Sequence, residues 1–141
     1  MPLFDCSTLL PFTVIRLPYE FEGDPNVKTK RFIVALNFVE QKTILCFKPT
    51  TQVAYYDSEP DRLKGVVEYR KDETCFEADR TIVEPKRYPI PYWQIERFDA
   101  LGQLEILGYM PDDFRDRMKA AVKAKGEWRK SQKDEFFKWF R

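Results

Sequence analysis

The feature that most constrains the fold is a pair of apolar segments of strand length between residues 30 and 52. Residues 32–36 and 43–47 are rich in β-branched and aromatic side chains, and the short connection between them is polar. This pattern predicts a β-hairpin. Because antiparallel pairing brings the start of one strand beside the end of the next, we expect Arg31 and Thr50 at a shared rim of the sheet. A guanidinium and a hydroxyl at one place suit a phosphodiester group.

Further strands are predicted from short apolar segments that are separated by polar turns. One precedes the hairpin and the others follow it, over residues 12–17, 65–69, 74–77 and 81–83. The prolines at positions 85, 89 and 91 predict an extended edge segment, because proline cannot donate a hydrogen bond within a central strand. The segment 92–98 fits either a short helical turn or a strand.

Helices are predicted in the C-terminal part. Pro111 and the two aspartates after it suit a helix start, Gly126 suits its end, and a second short helix is expected from Ser131. We therefore predict a mostly β fold with C-terminal helices, in which a helix packs on a small β-barrel. The barrel domain with its helix is expected over residues 1–126 and a helical extension over residues 127–141. The apolar face of the first helix consists of Phe114, Met118, Ala121 and Val122.

The composition excludes several kinds of site. The chain has no histidine, which removes the usual acid–base group at neutral pH, paired-histidine ribonuclease chemistry and histidine zinc sites. Its three cysteines form no C-x-x-C motif, so we expect reduced thiols and a cytoplasmic protein. No signal peptide, membrane span, metal or cofactor is predicted. With a net charge of only +1, binding of nucleic acid would depend on a local basic patch.

The order of these segments resembles the PemK/MazF family of toxin-like proteins. In that family an arginine opens the second strand and a threonine closes the third, and Arg31 and Thr50 match these positions. The resemblance extends over about residues 12–123. It implies a small SH3-like barrel with a helix packed on it. It also implies a homodimeric, metal-independent endoribonuclease that cleaves single-stranded RNA and is controlled by a cognate antitoxin.

The resemblance gives the catalytic roles to Arg31 and Thr50. An arginine stays protonated at neutral pH, so Arg31 suits the stabilisation of charge on a phosphorane and can act as an acid, but not as a base. Thr50 is expected to position the phosphate. The general base stays open, and the candidates lie in the loop before the hairpin: Glu20, Glu22 and Asp24.

Groups that bind the substrate are expected around the same rim, because basic and aromatic side chains close together suit single-stranded RNA. The alternative is a solvated, charge-balanced surface, since acidic residues are also near in sequence. The residues that we assign to substrate binding are Lys28, Thr29, Lys30, Lys48, Thr51 and Gln52, with Phe21, Tyr55 and Tyr56 as stacking groups.

Other interpretations stay open beside this one. An arginine and a threonine at strand ends also occur without any function. The same barrel could be a non-catalytic binding module for protein or nucleic acid, or a structural part of a larger complex. The acidic loop 57–61 either holds a metal or is a solvated turn. The basic and aromatic C-terminal segment either packs on the barrel or contacts RNA, a membrane surface or a partner.

Overall fold

The computed structural model describes residues 4–19, 28–126 and 128–140, except for the side chains of Lys28 and Trp139. The chain divides into two compact units. Unit 1 consists of Met1–Lys48 and Arg87–Tyr109, and unit 2 of Pro49–Lys86 and Met110–Arg141.

Strands dominate the first two thirds of the chain, and helices follow them. The strands are β1 (Thr13–Tyr19), β2 (Lys28–Phe38), β3 (Thr43–Thr50), β4 (Val67–Arg70), β5 (Arg80–Pro91) and β6 (Glu105–Tyr109). The helices are α1 (Ala54–Asp57), α2 (Tyr92–Ala100), α3 (Phe114–Ala124) and α4 (Lys130–Trp139). The strand order in the sheet is β4-β5-β3-β2-β1-β6. The fold is thus mostly antiparallel sheet with C-terminal helices, as predicted.

The hairpin of β2 and β3 forms where the sequence predicts it. Its register runs from Phe38 opposite Thr43 to Ile33 opposite Phe47, and residues 39–42 connect the strands. In unit 1, β2 also pairs with β1, and β1 with β6. Side chains on one face of these strands pack with α2, and each large one that is buried contributes about 1.5–3 kcal/mol. The members of this core include Ile15, Leu17, Phe32, Val34, Ile90 and Ile95.

One polar group holds the N-terminal segment and α2 to the hairpin in unit 1. The Asn37 amide nitrogen donates to the carbonyl oxygens of Cys6, at 2.9 Å, and Leu9, at 3.0 Å. Its amide oxygen accepts a hydrogen bond from the hydroxyl of Tyr92, the first residue of α2. A single side chain at the end of β2 therefore satisfies polar groups from two other segments.

Unit 2 contains β4, most of the proline-rich strand β5, and the helices α1, α3 and α4. The register of β4 with β5 runs from Val67 opposite Val83 to Arg70 opposite Arg80. Helix α3 begins after Asp113, and it ends before Lys125, close to the predicted Gly126. Its predicted apolar face is confirmed, because all four of its residues are buried: Phe114, Met118, Ala121 and Val122.

Several local predictions need correction. Residues 74–77 form no strand. The segment 92–98 lies within helix α2 rather than in a strand. Helix α4 begins at Lys130, one residue before the predicted start.

The prolines of β5 predict an edge segment, but β5 lies between β4 and β3 in the sheet. The prediction of an extended edge nevertheless holds for the proline segment itself, because β4 pairs only as far as Val83. Pro85, Pro89 and Pro91 come after that point, so no hydrogen bond to β4 is lost where their N–H groups are missing. Among the described helices, none is both long enough and apolar enough to cross a membrane.

We expect Asn37→Ala to lower the free energy of unfolding by about 2–3 kcal/mol, because it leaves two carbonyl groups and a tyrosine hydroxyl without their partner. Urea unfolding followed by circular dichroism measures the change. Glu40→Ala, at an exposed position of the same hairpin, is the matched control and should leave the midpoint unchanged. Equal unfolding midpoints for the two variants would show that the hydrogen bonds of the Asn37 amide do not contribute measurably to stability.

Candidate functional site

Arg31 lies in β2 and is half-buried. Its partner across the antiparallel pairing is Arg16 of β1, and the partner of Arg16 on the other side is Glu105 of β6. Because directly opposed residues point to the same face of a sheet, these three side chains form one charged row across β6, β1 and β2. We call Glu105, Arg16 and Arg31 the charged row.

Among the residues that the structure describes, one of the two arginines of the charged row has a carboxylate partner and the other has none. Nη2 of Arg16 lies 3.2 Å from Oε1 of Glu105, and these side chains are 38% and 53% exposed, respectively. Arg31 makes no hydrogen bond or ion pair with any residue that the structure describes. Its guanidinium donors are therefore available to a ligand, at a place where a second cation stands beside it.

Thr50 is the last residue of β3 and is half-buried. Its hydroxyl oxygen accepts a hydrogen bond from the backbone N–H of Gln52, at 3.2 Å. This is a local turn contact of the kind that threonine commonly makes at strand ends. The contact uses the oxygen as an acceptor, so the hydroxyl proton can still be donated to another group. Thr51 and Gln52, the two predicted binding residues that follow, are both exposed.

The strand alternation separates the predicted basic residues. Thr29 and Arg31 share one face of β2, whereas Lys30, opposite Leu17, lies on the face that carries Phe32. Lys28 begins the strand, but its side chain lies outside the described part of the chain. Lys48 is half-buried in β3 and already interacts with another group.

The two predicted catalytic residues belong to different units, Arg31 to unit 1 and Thr50 to unit 2. Alternation along β3 also puts Thr50 on the face opposite to that of Phe47, which pairs with Ile33 on the face of Arg31, so the meeting of Arg31 and Thr50 at one rim stays a prediction. The structure places Arg16 opposite Arg31 and Glu105 opposite Arg16, and the sequence analysis missed both residues. The sequence does contain a signal for Arg16, because it is the one charged residue within the apolar segment 12–17.

Within the described part of the chain, the carboxylate of the charged row, Glu105, is already paired with Arg16. The predicted base candidates, Glu20, Glu22 and Asp24, lie outside the described residues. The buried thiols of unit 1 do not offer a nucleophile at neutral pH. Burial raises the pKa of Cys6 to about 11, and it also raises the pKa of Cys46.

A second concave region lies within unit 2. A cleft of about 430 Å³ is lined in part by Tyr55, Arg62, Glu84 and Lys125. The Arg62 guanidinium lies 4.0 Å above the Tyr55 ring centre and donates to the Tyr55 carbonyl oxygen at 2.8 Å. Tyr56 is buried and donates its hydroxyl to Glu84, so its ring does not offer the predicted stacking surface. Because cations and anions both line the cleft, it lacks the single-sign field that attracts a phosphate.

An ion-pair network positions α1 beside this cleft. Arg80 of β5 donates to both carboxylate oxygens of Asp57, at 2.6 and 2.9 Å, and also binds the Glu68 carboxylate of β4. The acidic loop that could have held a metal is thus occupied by cations: Asp57 pairs with Arg80, Glu59 with Arg62 and Asp61 with Lys64.

Comparisons with known proteins leave the family as a prediction. A scan of the sequence against protein-family models finds no match, and a search of curated proteins finds none either. What the chain does must therefore be argued from its own residues.

The Asp57–Arg80 pair predicts a pH dependence of stability. The hydrogen bond from Arg80 lowers the pKa of Asp57 below its usual value of 3.8. The folded state therefore gains stability from the ionised carboxylate above that pH, and loses it as the pH falls through the lowered pKa. Asp57→Asn should be less stable than the wild type at pH 7, and the difference should shrink below about pH 4.

Urea unfolding of both proteins between pH 7 and pH 2 measures this difference. Asp61→Asn is the control, because Asp61 belongs to an ion pair whose side chains are 72% and 91% exposed, and such pairs contribute little. A gap between wild type and Asp57→Asn that stays constant down to pH 2 would contradict the electrostatic account.

Proposed function

We propose that this chain is a PemK/MazF-like toxin, an endoribonuclease that cleaves single-stranded RNA without a metal and is controlled by a cognate antitoxin. The observation that carries the proposal is Arg31, a half-buried guanidinium with no partner among the described residues and a second arginine opposite it. An arrangement of this kind suits a phosphodiester, because each arginine presents a planar set of donors to the phosphate oxygens.

In the proposed reaction, Arg31 stabilises the charge of the transition state. The RNA 2′-hydroxyl gives its proton to water or to one of the base candidates in the loop before the hairpin and attacks the adjacent phosphorus. The resulting phosphorane has nonbridging oxygens that carry more negative charge than in the substrate. A guanidinium held in a strand meets that charge with little reorganisation, which is the main source of such stabilisation in enzymes. Arg31 is also proposed as the acid: a guanidinium proton passes to the leaving 5′ oxygen as its bond to phosphorus breaks, and the guanidine regains a proton from water at once.

Thr50 has the supporting role of orienting the phosphate. Its oxygen is occupied by the backbone N–H of Gln52, which fixes the side chain and leaves the hydroxyl proton to donate. The exposed Thr51 and Gln52 extend the same end of β3 and are proposed to contact the RNA chain. Lys28, Thr29, Lys30 and Lys48 are proposed as further contacts to the RNA backbone.

The architecture agrees with the proposal at the coarse level. The antiparallel sheet is followed by the two C-terminal helices α3 and α4, an order that suits a small SH3-like barrel with a helix packed on it. The homodimer, the antitoxin and the cytoplasmic location belong to the same proposal. Unit 1 offers apolar surface for a protein partner, since Trp93 and Tyr109 are each 63% exposed.

One observation favours a second candidate function, a non-catalytic module that binds RNA or protein. Within the described residues, Glu105 is the carboxylate of the charged row, and it is occupied by Arg16. A row that binds phosphate but has no free base would hold RNA without cleaving it. Binding without cleavage by the wild type would therefore select this candidate.

The nuclease proposal predicts cleavage of a single-stranded RNA in the presence of EDTA. Arg31→Ala should lower the rate about 100-fold, because it removes the group that stabilises the developing charge. Thr50→Val, which keeps the shape of the side chain but removes the hydroxyl, should lower it about tenfold. The rates are measured by gel electrophoresis of a labelled oligonucleotide.

Arg97→Ala is the matched control, because Arg97 is an exposed arginine of unit 1 on helix α2. It should cleave like the wild type. The assignment of Arg31 fails if Arg31→Ala and Arg97→Ala cleave at the same rate.

A further inference from the structure

The pairing of Arg16 with Arg31 is unfavourable by itself. Residues directly opposite each other in antiparallel strands have Cβ atoms about 5 Å apart, and like charges at that spacing repel. The charged row contains two guanidinium groups and one carboxylate, that of Glu105, which pairs with Arg16. The row therefore keeps one positive charge in excess, which a bound anion would neutralise.

A β-bulge decides that Glu105 stands opposite Arg16. The register of β1 with β6 has Val14 opposite Gly108 and Ile15 opposite Ile106, so Leu107 is an extra residue. In a regular pairing, Ile106 would stand opposite Arg16 instead. Gly108 has a φ of +148°, a backbone conformation that residues with a side chain rarely adopt, and this suits the irregularity. Bulges of this kind re-aim side chains next to functional sites.

We propose that Arg16 is a second phosphate-binding residue beside Arg31, and that Glu105 occupies it until RNA binds. This inference rests on the proposed function, since it names a further contact of the same RNA site. The phosphate group presents two nonbridging oxygens, and each arginine donates to one of them or both. The carboxylate of Glu105 imitates the phosphate in the free protein, because it offers the same pair of acceptor oxygens to the same guanidinium.

The exposure of the Arg16–Glu105 pair makes the exchange feasible. Both side chains are in contact with water, at 38% and 53% exposure, and ion pairs in such positions are weak. A phosphodiester that meets two guanidinium groups at once gains more than Glu105 gains from one. Glu105 then turns into solvent, and the RNA takes over both arginines.

The exchange predicts opposite effects for the two members of the pair. Arg16→Ala removes one phosphate contact, so it should weaken RNA binding about tenfold and reduce the slope of log affinity against log salt by about 1. Glu105→Gln keeps the size of the side chain but removes the competing charge, so it should strengthen binding about threefold. A variant that simply misfolds cannot bind more tightly, so Glu105→Gln tests the inference independently of folding.

The probe is a mixed-sequence, single-stranded 2′-O-methyl RNA oligonucleotide, which lacks the attacking hydroxyl and so reports binding without cleavage. Fluorescence anisotropy at several salt concentrations measures its affinity for the wild type, Arg16→Ala, Glu105→Gln and Arg31→Ala, with Arg97→Ala as the control. Circular dichroism of each variant shows that it is folded.

The outcomes separate this inference from the proposed function. Weaker binding by Arg16→Ala with a smaller salt slope, together with tighter binding by Glu105→Gln, supports it. If Arg31→Ala binds weakly but Arg16→Ala binds like Arg97→Ala, the role of Arg16 is overturned while the proposed function stands. Unchanged affinity of Glu105→Gln overturns the competition by Glu105. A wild-type protein that does not bind the oligonucleotide overturns the inference and the proposed function together.

Discussion

The antiparallel register of β1 with its two neighbours is the constraint on which the candidate site depends. It places Arg16 opposite Arg31 on one side and opposite Glu105 on the other. A slip of one residue between β1 and β2 would turn Arg31 toward the face that carries Phe32, because side chains alternate along a strand. Fully buried side chains on both faces, Phe32 on one and Ile33 on the face of Arg31, hold β2 in this register.

The local charge of the row differs from the charge of the whole chain. With 24 basic and 23 acidic residues, the protein has no strong global field. In unit 2 this balance is visible in the network of Arg80 with Asp57 and Glu68. The charged row departs from it, because two cations face one anion. Such a local excess can hold a phosphate even in a nearly neutral protein, since attraction acts mainly within a Debye length.

The parts of the fold that local patterns specify were predictable. The hairpin and the apolar face of α3 follow from periods of about two and 3.6 residues, which depend on neighbouring residues alone. The false strand at residues 74–77 shows the limit of this reasoning, since a short apolar segment becomes a strand only when a neighbour pairs with it. The prolines of β5 show the same limit. A proline in β5 destabilises the sheet only where β4 would have accepted its missing N–H hydrogen bond. The sequence of β5 does not show how far β4 extends.

The sequence by itself determined the class of fold, the hairpin and the choice of Arg31 as a candidate, because these depend on residue types and their spacing. Only the tertiary structure decided which charges stand beside Arg31. Arg16 and Glu105 reach it through strand pairing between distant parts of the chain and through a bulge at Leu107. Pairing of this kind is selected by the packing of whole faces against the core, so no local pattern around Arg31 encodes it.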